Sequence, residues 1–422
     1  MTAVSRSDAL VLFGATGDLA RKKLFAALYA LARAGRLNMP VVGVARSDVD
    51  DEGFRQHVRR AVETAEGEVE EGVLTRLLRG MSLVSGDYAD TETFATLADR
   101  LAGYGNVTHY LAIPPALFST VVDGLAGAGL HRGSRESVEN LLAFRFGNSF
   151  LEPIWDRNHV SSVQVTMAES FGVAGRGSFY DAVGAVRDVV QNHLLQVVAL
   201  LAMEPPVAES ADALRDEKVK VVRAMRPVDP THLVRGQFVG YRNEAGVAPG
   251  STIETFAALR LDIDSWRWAG VPFYVRAGKG LPTTVLEAVA ELRCPPRLLF
   301  AGADCAPPAP NLVRFRLGHD PGVSLTVQAK APGKRIVTKP VDLRVDFDTS
   351  LGWQQQAYER LLDDALDGDA RRFAREDMVE QAWRVVAPAL TGSTPPHPYA
   401  RGTWGPAQAE VIAGQHWYEP TG

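Results

Sequence analysis

The chain has 422 residues, 46% hydrophobic and 23% charged, and 45 basic against 50 acidic side chains leave a formal charge of −5. At about 150 residues per domain, that length predicts two or three domains with ample material for a core. The composition excludes a disordered chain, and the slightly acidic balance offers no global footprint for nucleic acid or an anionic membrane.

The longest apolar stretches, such as Val197 to Met203, fall far short of a bilayer span. Cys294 and Cys305 are the only cysteines, too few for a disulfide framework and without paired ligand spacing. A strand-like run begins almost at once, where a signal peptide would need its own pattern. The expectation is a reduced, cytoplasmic enzyme.

In chain order, Ala9 to Phe13 is a short apolar run followed by Gly14-Ala-Thr-Gly17-Asp-Leu-Ala20. Leu24, Phe25, Leu28, Tyr29 and Leu31 then recur at helical spacing. Pro40 to Ala45 reads as a second strand, Phe54 to Glu66 and Gly72 to Arg79 as helices, and Met81 to Val84 as a third strand. Thr91 to Leu101 is helical, and Val107 to Ile113 is a strand halted by Pro114-Pro115. Such alternation predicts a parallel, doubly wound sheet. Ala116 to Leu130 reads as the next helix. The sheet then needs another strand, yet the chain runs through Arg135 into a second helical segment at Glu136. A strand and its surroundings are missing at that junction.

Beyond it the pattern changes. Ser162 to Glu169 alternates like a strand, and Val183 to Met203 predicts one long, buried helix. Thr252 to Asp262, Pro272 to Arg276, Val285 to Arg293, Asn311 to Leu317 and Val323 to Ala329 predict a large, mostly antiparallel sheet. Asp346 to Asp367 and Phe373 to Ala389 read as helices. The fold class is thus α/β followed by α+β, divided into domains 1–135 and 136–422.

Two glycines between a strand and a helix let backbone approach a pyrophosphate, which the helix N–H groups then face. The second strand ends in Arg46, where an NAD site usually carries an acid. A guanidinium there suits the 2′-phosphate of NADP. Short-chain dehydrogenases also carry such glycines but need Tyr-x-x-x-Lys, and none of the ten tyrosines has Lys four residues on. On the long helix, at about 100° per residue, Asp188, Asn192 and Gln196 form one polar stripe with His193 beside it. A polar stripe on a buried helix faces either hydrogen-bond partners or a wet cleft. His109, His159, His232, His319, His397 and His416 show no ligand spacing and read as structural, so no metal site is expected.

Several segments together resemble the glucose-6-phosphate dehydrogenase family. They are Phe13-Gly-Ala-Thr-Gly-Asp-Leu-Ala-Arg-Lys-Lys-Leu, Tyr110-Leu-Ala-Ile-Pro-Pro, Phe144-Arg-Phe-Gly-Asn-Ser, Glu152-Pro-Ile-Trp-Asp-Arg-Asn, Asp188-Val-Val-Gln-Asn-His-Leu-Leu-Gln and Pro272-Phe-Tyr-Val-Arg-Ala-Gly-Lys. The resemblance covers essentially the whole chain. It implies a Rossmann-like NADP domain and a larger α+β domain that holds glucose 6-phosphate and makes a homodimer or homotetramer. It also implies cofactor contacts from Gly14, Ala15, Thr16, Gly17, Asp18, Leu19, Arg21 and Arg46, with Asp87 and Tyr88 beside the adenine half. His193 would be the general base, since an imidazole, with an ordinary pKa of about 6.5, can take the C1 hydroxyl proton as hydride leaves. Glu169, Asp188 and Lys279 would hold the substrate.

The chain departs from the family pattern in two places. Thr284 stands where members often have a second basic residue. The family's Glu-Lys-Pro-x-Gly and Arg-Ile-Asp-His-Tyr-Leu-Gly-Lys motifs are absent, and both would fall between Arg135 and Glu136. The intact pattern on either side favours a segment that has dropped out of the sequence over a true deletion. A true deletion would instead leave a noncatalytic NADP-binding homologue.

Overall fold

The computed structural model describes residues 6–113, 117, 120–121, 139–173, 175–296, 308–318, 320–334, 336–351, 357–369, 375–391, 394–414 and 416–420. The Arg135–Glu136 junction, His319 and most of the helix expected at Ala116–Leu130 lie outside these residues.

Two compact units form. In the first, strands β1 (Ala9–Phe13), β2 (Val41–Ala45), β3 (Met81–Ser85) and β4 (Val107–Leu111) make a parallel sheet in the order β3-β2-β1-β4. β1 and β2 are buried along their whole length, as parallel strands covered on both faces must be. The two-residue period divides β1 between two cores. Leu10 and Leu12 pack with Phe25, Phe54 and Leu74, while Ala9, Val11 and Phe13 pack with Phe94 and Leu97. Helices Phe25–Arg33, Asp51–Glu66, Glu71–Arg79 and Thr91–Arg100 supply these partners. The late helix Ala357–Asp367, placed with the second domain by sequence, belongs to this first unit. Leu362 and Leu366 enter its core, and Asp363 pairs with Arg6 at 2.9 Å and Arg36 at 2.8 Å.

The second unit is built on a sheet of nine strands among the described residues. They are β5 (Val160–Glu169), β6 (Leu233–Phe238), β7 (Phe256–Asp262), β8 (Pro272–Lys279), β9 (Val285–Leu292), β10 (Leu312–Arg316), β11 (Gly322–Lys330), β12 (Thr338–Asp346) and β13 (His397–Tyr399). The order is β12-β11-β10-β9-β5-β8-β7-β6-β13. Every pairing is antiparallel except β5 with β8 and β6 with β13. One core joins Val163, Val165, Leu259, Phe273 and Val275 of the sheet to a buried helix ending at Ala202 and to helix Glu376–Leu390.

The buried helix differs from the expected run Val183–Met203. The chain breaks at Gly184, whose φ is 70° and whose ψ is 175°, and the helix starts at Val186. Its first half, Val186–Leu194, is π-wound, and the N–H of Leu195 reaches back five residues to the carbonyl of Val190. Leu195–Ala202 then continues as an α-helix.

Candidate active site

In the first unit, the loop after β1 is shaped by close backbone contacts. Gly14 has φ 77°, and a Cβ there would stand 2.3 Å from the Ala112 carbonyl oxygen. Only glycine meets both conditions. The N–H of Gly14 donates to the carbonyl of Val44 at 2.9 Å and to the Tyr88 hydroxyl at 2.9 Å. The N–H of Gly17 closes the turn on the Gly14 carbonyl at 2.9 Å. Ala15 is fully buried under the loop, Thr16 is exposed and Leu19 is half-buried. The first-turn N–H groups that follow have no partners inside the helix and point toward whatever the loop holds. Asp18 is exposed and bonds Arg21 at 2.9 Å and Lys22 at 2.8 Å. Those bonds, Lys22 foremost, pull its pKa down to about 2.

Arg46, at the end of β2, lies on the surface and pairs with Asp87 beyond β3 at 2.8 Å. The Asp87 carboxyl sits below its ordinary pKa, first through the Ala89 N–H and then through Arg46. The ring of Tyr88 is buried, and its hydroxyl also donates to the Val44 carbonyl at 3.2 Å. Tyr88 therefore braces the glycine turn, and its hydroxyl is occupied by backbone. A turn bounded by Gly14 and Gly17 at a helix start, with a surface guanidinium at the next strand end, fits a dinucleotide with a 2′-phosphate.

In the second unit, parallel pairing of β5 with β8 sets Glu169 directly beside Lys279 at the strand ends. The Lys279 ammonium bonds the Glu169 carboxylate and lies over the rings of Tyr180, at 5.0 Å, and Phe171, at 5.3 Å. Lys279 is only 8% exposed, and its backbone N–H bonds the Thr255 carbonyl at 2.9 Å. Thr284 uses its hydroxyl on Ser170, taking the N–H at 3.1 Å and the side-chain oxygen at 3.0 Å.

Asp188 and His193 ride on the π-wound segment, both half-buried. That segment packs against β8, β7 and helix Glu376–Leu390. The winding changes the spacing of the polar stripe read from the sequence. An i→i+5 winding has about 4.4 residues per turn, so it keeps Asn192 near Asp188 and swings His193 round to within about 50° of it, onto the same side of the helix. The amide of Gln196, in the α-helical half, points at the Met378 sulfur, 3.4 Å away.

Both helix ends are held by groups to which the sequence assigned no role, although Arg145 and Trp155 lie within segments that carry the family resemblance. Glu254, 2% exposed, accepts the Val186 N–H at 3.1 Å and the Arg235 guanidinium at 2.7 Å. At the other end, Arg145 donates to the carbonyls of Leu200, at 2.8 Å, and Met203, at 3.0 Å. Trp155 and Trp268 donate to those of Leu201, at 2.7 Å, and Ala202, at 2.8 Å. Burial lowers the Arg145 pKa to about 10. Buried donors on the last carbonyls satisfy the C-terminal groups that any helix leaves open.

The glycine turn on a parallel sheet, joined in one chain to a mixed sheet with a buried Lys–Glu pair, defines a dinucleotide-dependent enzyme of two-domain build. Comparison with known proteins narrows the class. Residues 11–140 match the model of the glucose-6-phosphate dehydrogenase NAD binding domain, and residues 142–419 match that of the C-terminal domain. The glucose-6-phosphate 1-dehydrogenase 1 of Mycobacterium tuberculosis is 42% identical, over 98% of this chain and 97% of its own. A glucose-6-phosphate 1-dehydrogenase of Aggregatibacter actinomycetemcomitans is 37% identical over 98% and 97%. The crystal structure of glucose-6-phosphate 1-dehydrogenase from Mycobacterium avium superposes with a TM-score of 0.91 at 41% identity, covering 99% of each chain. The chain belongs to the glucose-6-phosphate dehydrogenase family. The Mycobacterium tuberculosis alignment runs over 455 positions against 422 residues here, so at least 33 of them have no counterpart in this chain.

Proposed function

We infer that the protein oxidises glucose 6-phosphate at C1 with NADP, forming the 6-phosphoglucono-lactone and opening the oxidative pentose phosphate route. The observation that carries this reading is the full-length likeness. Both units match the family, and a solved glucose-6-phosphate dehydrogenase in complex with its substrate glucose-6-phosphate superposes at TM-score 0.86 and 30% identity over 100% of each chain.

Gly14, Ala15, Thr16, Gly17, Asp18, Leu19 and Arg21 would hold the pyrophosphate side of NADP, and Arg46 and Asp87 its adenosine end. When bound, NADP accepts the hydride from C1. The chain's own residues do the rest. His193 takes the C1 hydroxyl proton, which must leave as the carbonyl forms. Asp188, on the same helix face, accepts a hydrogen bond from a sugar hydroxyl and keeps the C1 oxygen near the imidazole. Lys279 donates to a sugar oxygen, and Glu169 fixes the direction of its ammonium. Positioning of this kind can lower a barrier by several kcal/mol, up to about 10.

Among the described residues, no helix is long and apolar enough to cross a membrane. We place the enzyme in the cytoplasm as a homodimer or homotetramer. Self-association is supported by the edge strand β12, where Val341, Leu343 and Val345 are all exposed. An edge strand with an exposed apolar row invites a partner. The test is formation of reduced nicotinamide from purified protein, NADP and glucose 6-phosphate. Absence of turnover in protein that binds both ligands would overturn the assignment.

A further inference from the structure

The second unit contains a buried hydroxyl that no protein group uses. Tyr180 lies on helix Gly177–Ala185, just before the Gly184 break, and is 3% exposed. Its hydroxyl is shut off from solvent and has no hydrogen-bond partner among the described residues. Buried polar groups are ordinarily satisfied, so an unspent one calls for an explanation. The ring itself is well placed, edge-on to Tyr241 at 6.3 Å and under the Lys279 ammonium at 5.0 Å.

The surroundings decide which role the hydroxyl can play. Burial above all, then the negative charges of Asp188 and Glu254, hold its pKa well above the ordinary value of 10. It therefore keeps its proton and is a donor. Two of the nearby carboxylates are already engaged, Glu254 by the Val186 N–H and Arg235, and Glu169 by Lys279, and the third, Asp188, makes no hydrogen bond to the Tyr180 hydroxyl. With Asp188 assigned above to a sugar hydroxyl, the same bound sugar is the acceptor within reach of both groups. A phosphate dianion is disfavoured beside Asp188, Glu254 and Glu169, whereas a neutral sugar hydroxyl offers lone pairs without charge repulsion. We propose that Tyr180 is a specificity-determining residue that donates its O–H to a hydroxyl oxygen of the bound sugar phosphate. This inference rests on the substrate assigned above.

The test is Tyr180→Phe, which removes one oxygen and keeps the ring beneath Lys279. Affinity for glucose 6-phosphate, measured by calorimetry, should fall about 10-fold, and kcat/KM should fall with it. The affinity for NADP should not change. The thermal midpoint of the unliganded variant should hold or rise, because the substitution deletes an unsatisfied buried donor. The monodeoxy analogues of glucose 6-phosphate then identify the acceptor. The analogue lacking it should bind wild type and Tyr180→Phe equally, while the others keep the 10-fold gap. Unchanged affinity in Tyr180→Phe would overturn the proposal. So would a lowered midpoint with the same gap for every analogue, which would mark a packing role. If wild type binds no glucose 6-phosphate, the functional assignment itself fails, and this inference falls with it.

Discussion

The helix that carries Asp188 and His193 begins on one carboxylate, and removing it should disturb stability and catalysis together. In Glu254→Ala, Arg235 loses its buried counter-ion and the Val186 N–H loses its acceptor. Deleting one partner of a buried ion pair costs about 3–5 kcal/mol. Arg235 keeps weaker bonds to the carbonyls of Thr252, at 3.2 Å, and Thr394, at 3.3 Å. With that offset, the expected loss is about 3 kcal/mol. Glu254→Gln retains an oxygen for Val186 and loses only the charge, so about 1–2 kcal/mol is expected. Among the described residues all six tryptophans lie in the second unit, so urea unfolding followed by intrinsic fluorescence reports chiefly on that unit. A shifted helix start also displaces His193, and small misplacements of a reacting group cost up to about 10²-fold in rate. Turnover should therefore fall further in Glu254→Ala than in Glu254→Gln, with NADP affinity unchanged in both. A loss under about 1 kcal/mol in Glu254→Ala would refute the view that this carboxylate anchors the helix.

Three further predictions concern the two ligand sites. Arg46→Ala should weaken NADP binding about 10-fold or more while leaving NAD binding unchanged, because only the 2′-phosphate contact is lost; an unaltered NADP-to-NAD preference in equilibrium titration would count against it. His193→Asn should lower kcat by about 10² to 10⁴-fold, the range for losing a general base; near-normal turnover would mean that another group takes the C1 proton. Gly14→Ala should abolish measurable dinucleotide binding, since its Cβ would meet the Ala112 carbonyl at 2.3 Å and its φ of 77° suits glycine; a variant that still binds NADP tightly would show that the turn has slack.

Much of the fold is legible in the sequence where local and tertiary demands agree. Ala9–Phe13 is both an apolar run and a fully buried strand, and its boundaries coincide with the expected ones. The expected strand at Val107 to Ile113 is observed as Val107–Leu111. Elements with mixed composition escaped notice. β12 carries Lys339, Pro340, Asp342 and Arg344, and it is a strand because β11 pairs with it along nine residues. β13 has three residues, one of them proline, and exists only through β6. Helix Ala211–Ala224 is rich in charge, and its buried side, including Lys218, is defined by packing. In each case tertiary contact overrides local preference.

The site shows the same division. Glycines, a strand-end arginine and a strand-end lysine carry their chemistry in residue type and position, so Gly14, Arg46 and Lys279 could be picked out directly. The spatial relation of Asp188 to His193 could not, because it depends on winding. A standard α-helix would align Asp188 with Asn192. The π winding, at about 4.4 residues per turn, brings His193 round beside that pair, and nothing in Val186–Leu194 announces that choice. The structure suggests where it originates. The helix is fastened by Glu254 at its start and by Arg145, Trp155 and Trp268 at its end. With both ends tied to other elements, the number of residues between them no longer has to match a whole number of α-turns. The mismatch is absorbed in the half that bears the polar residues, consistent with the tendency of π segments to occur at functional sites. Two residues that α periodicity would part are thus presented together, and the anchors responsible lie seven or more residues from His193 along the chain.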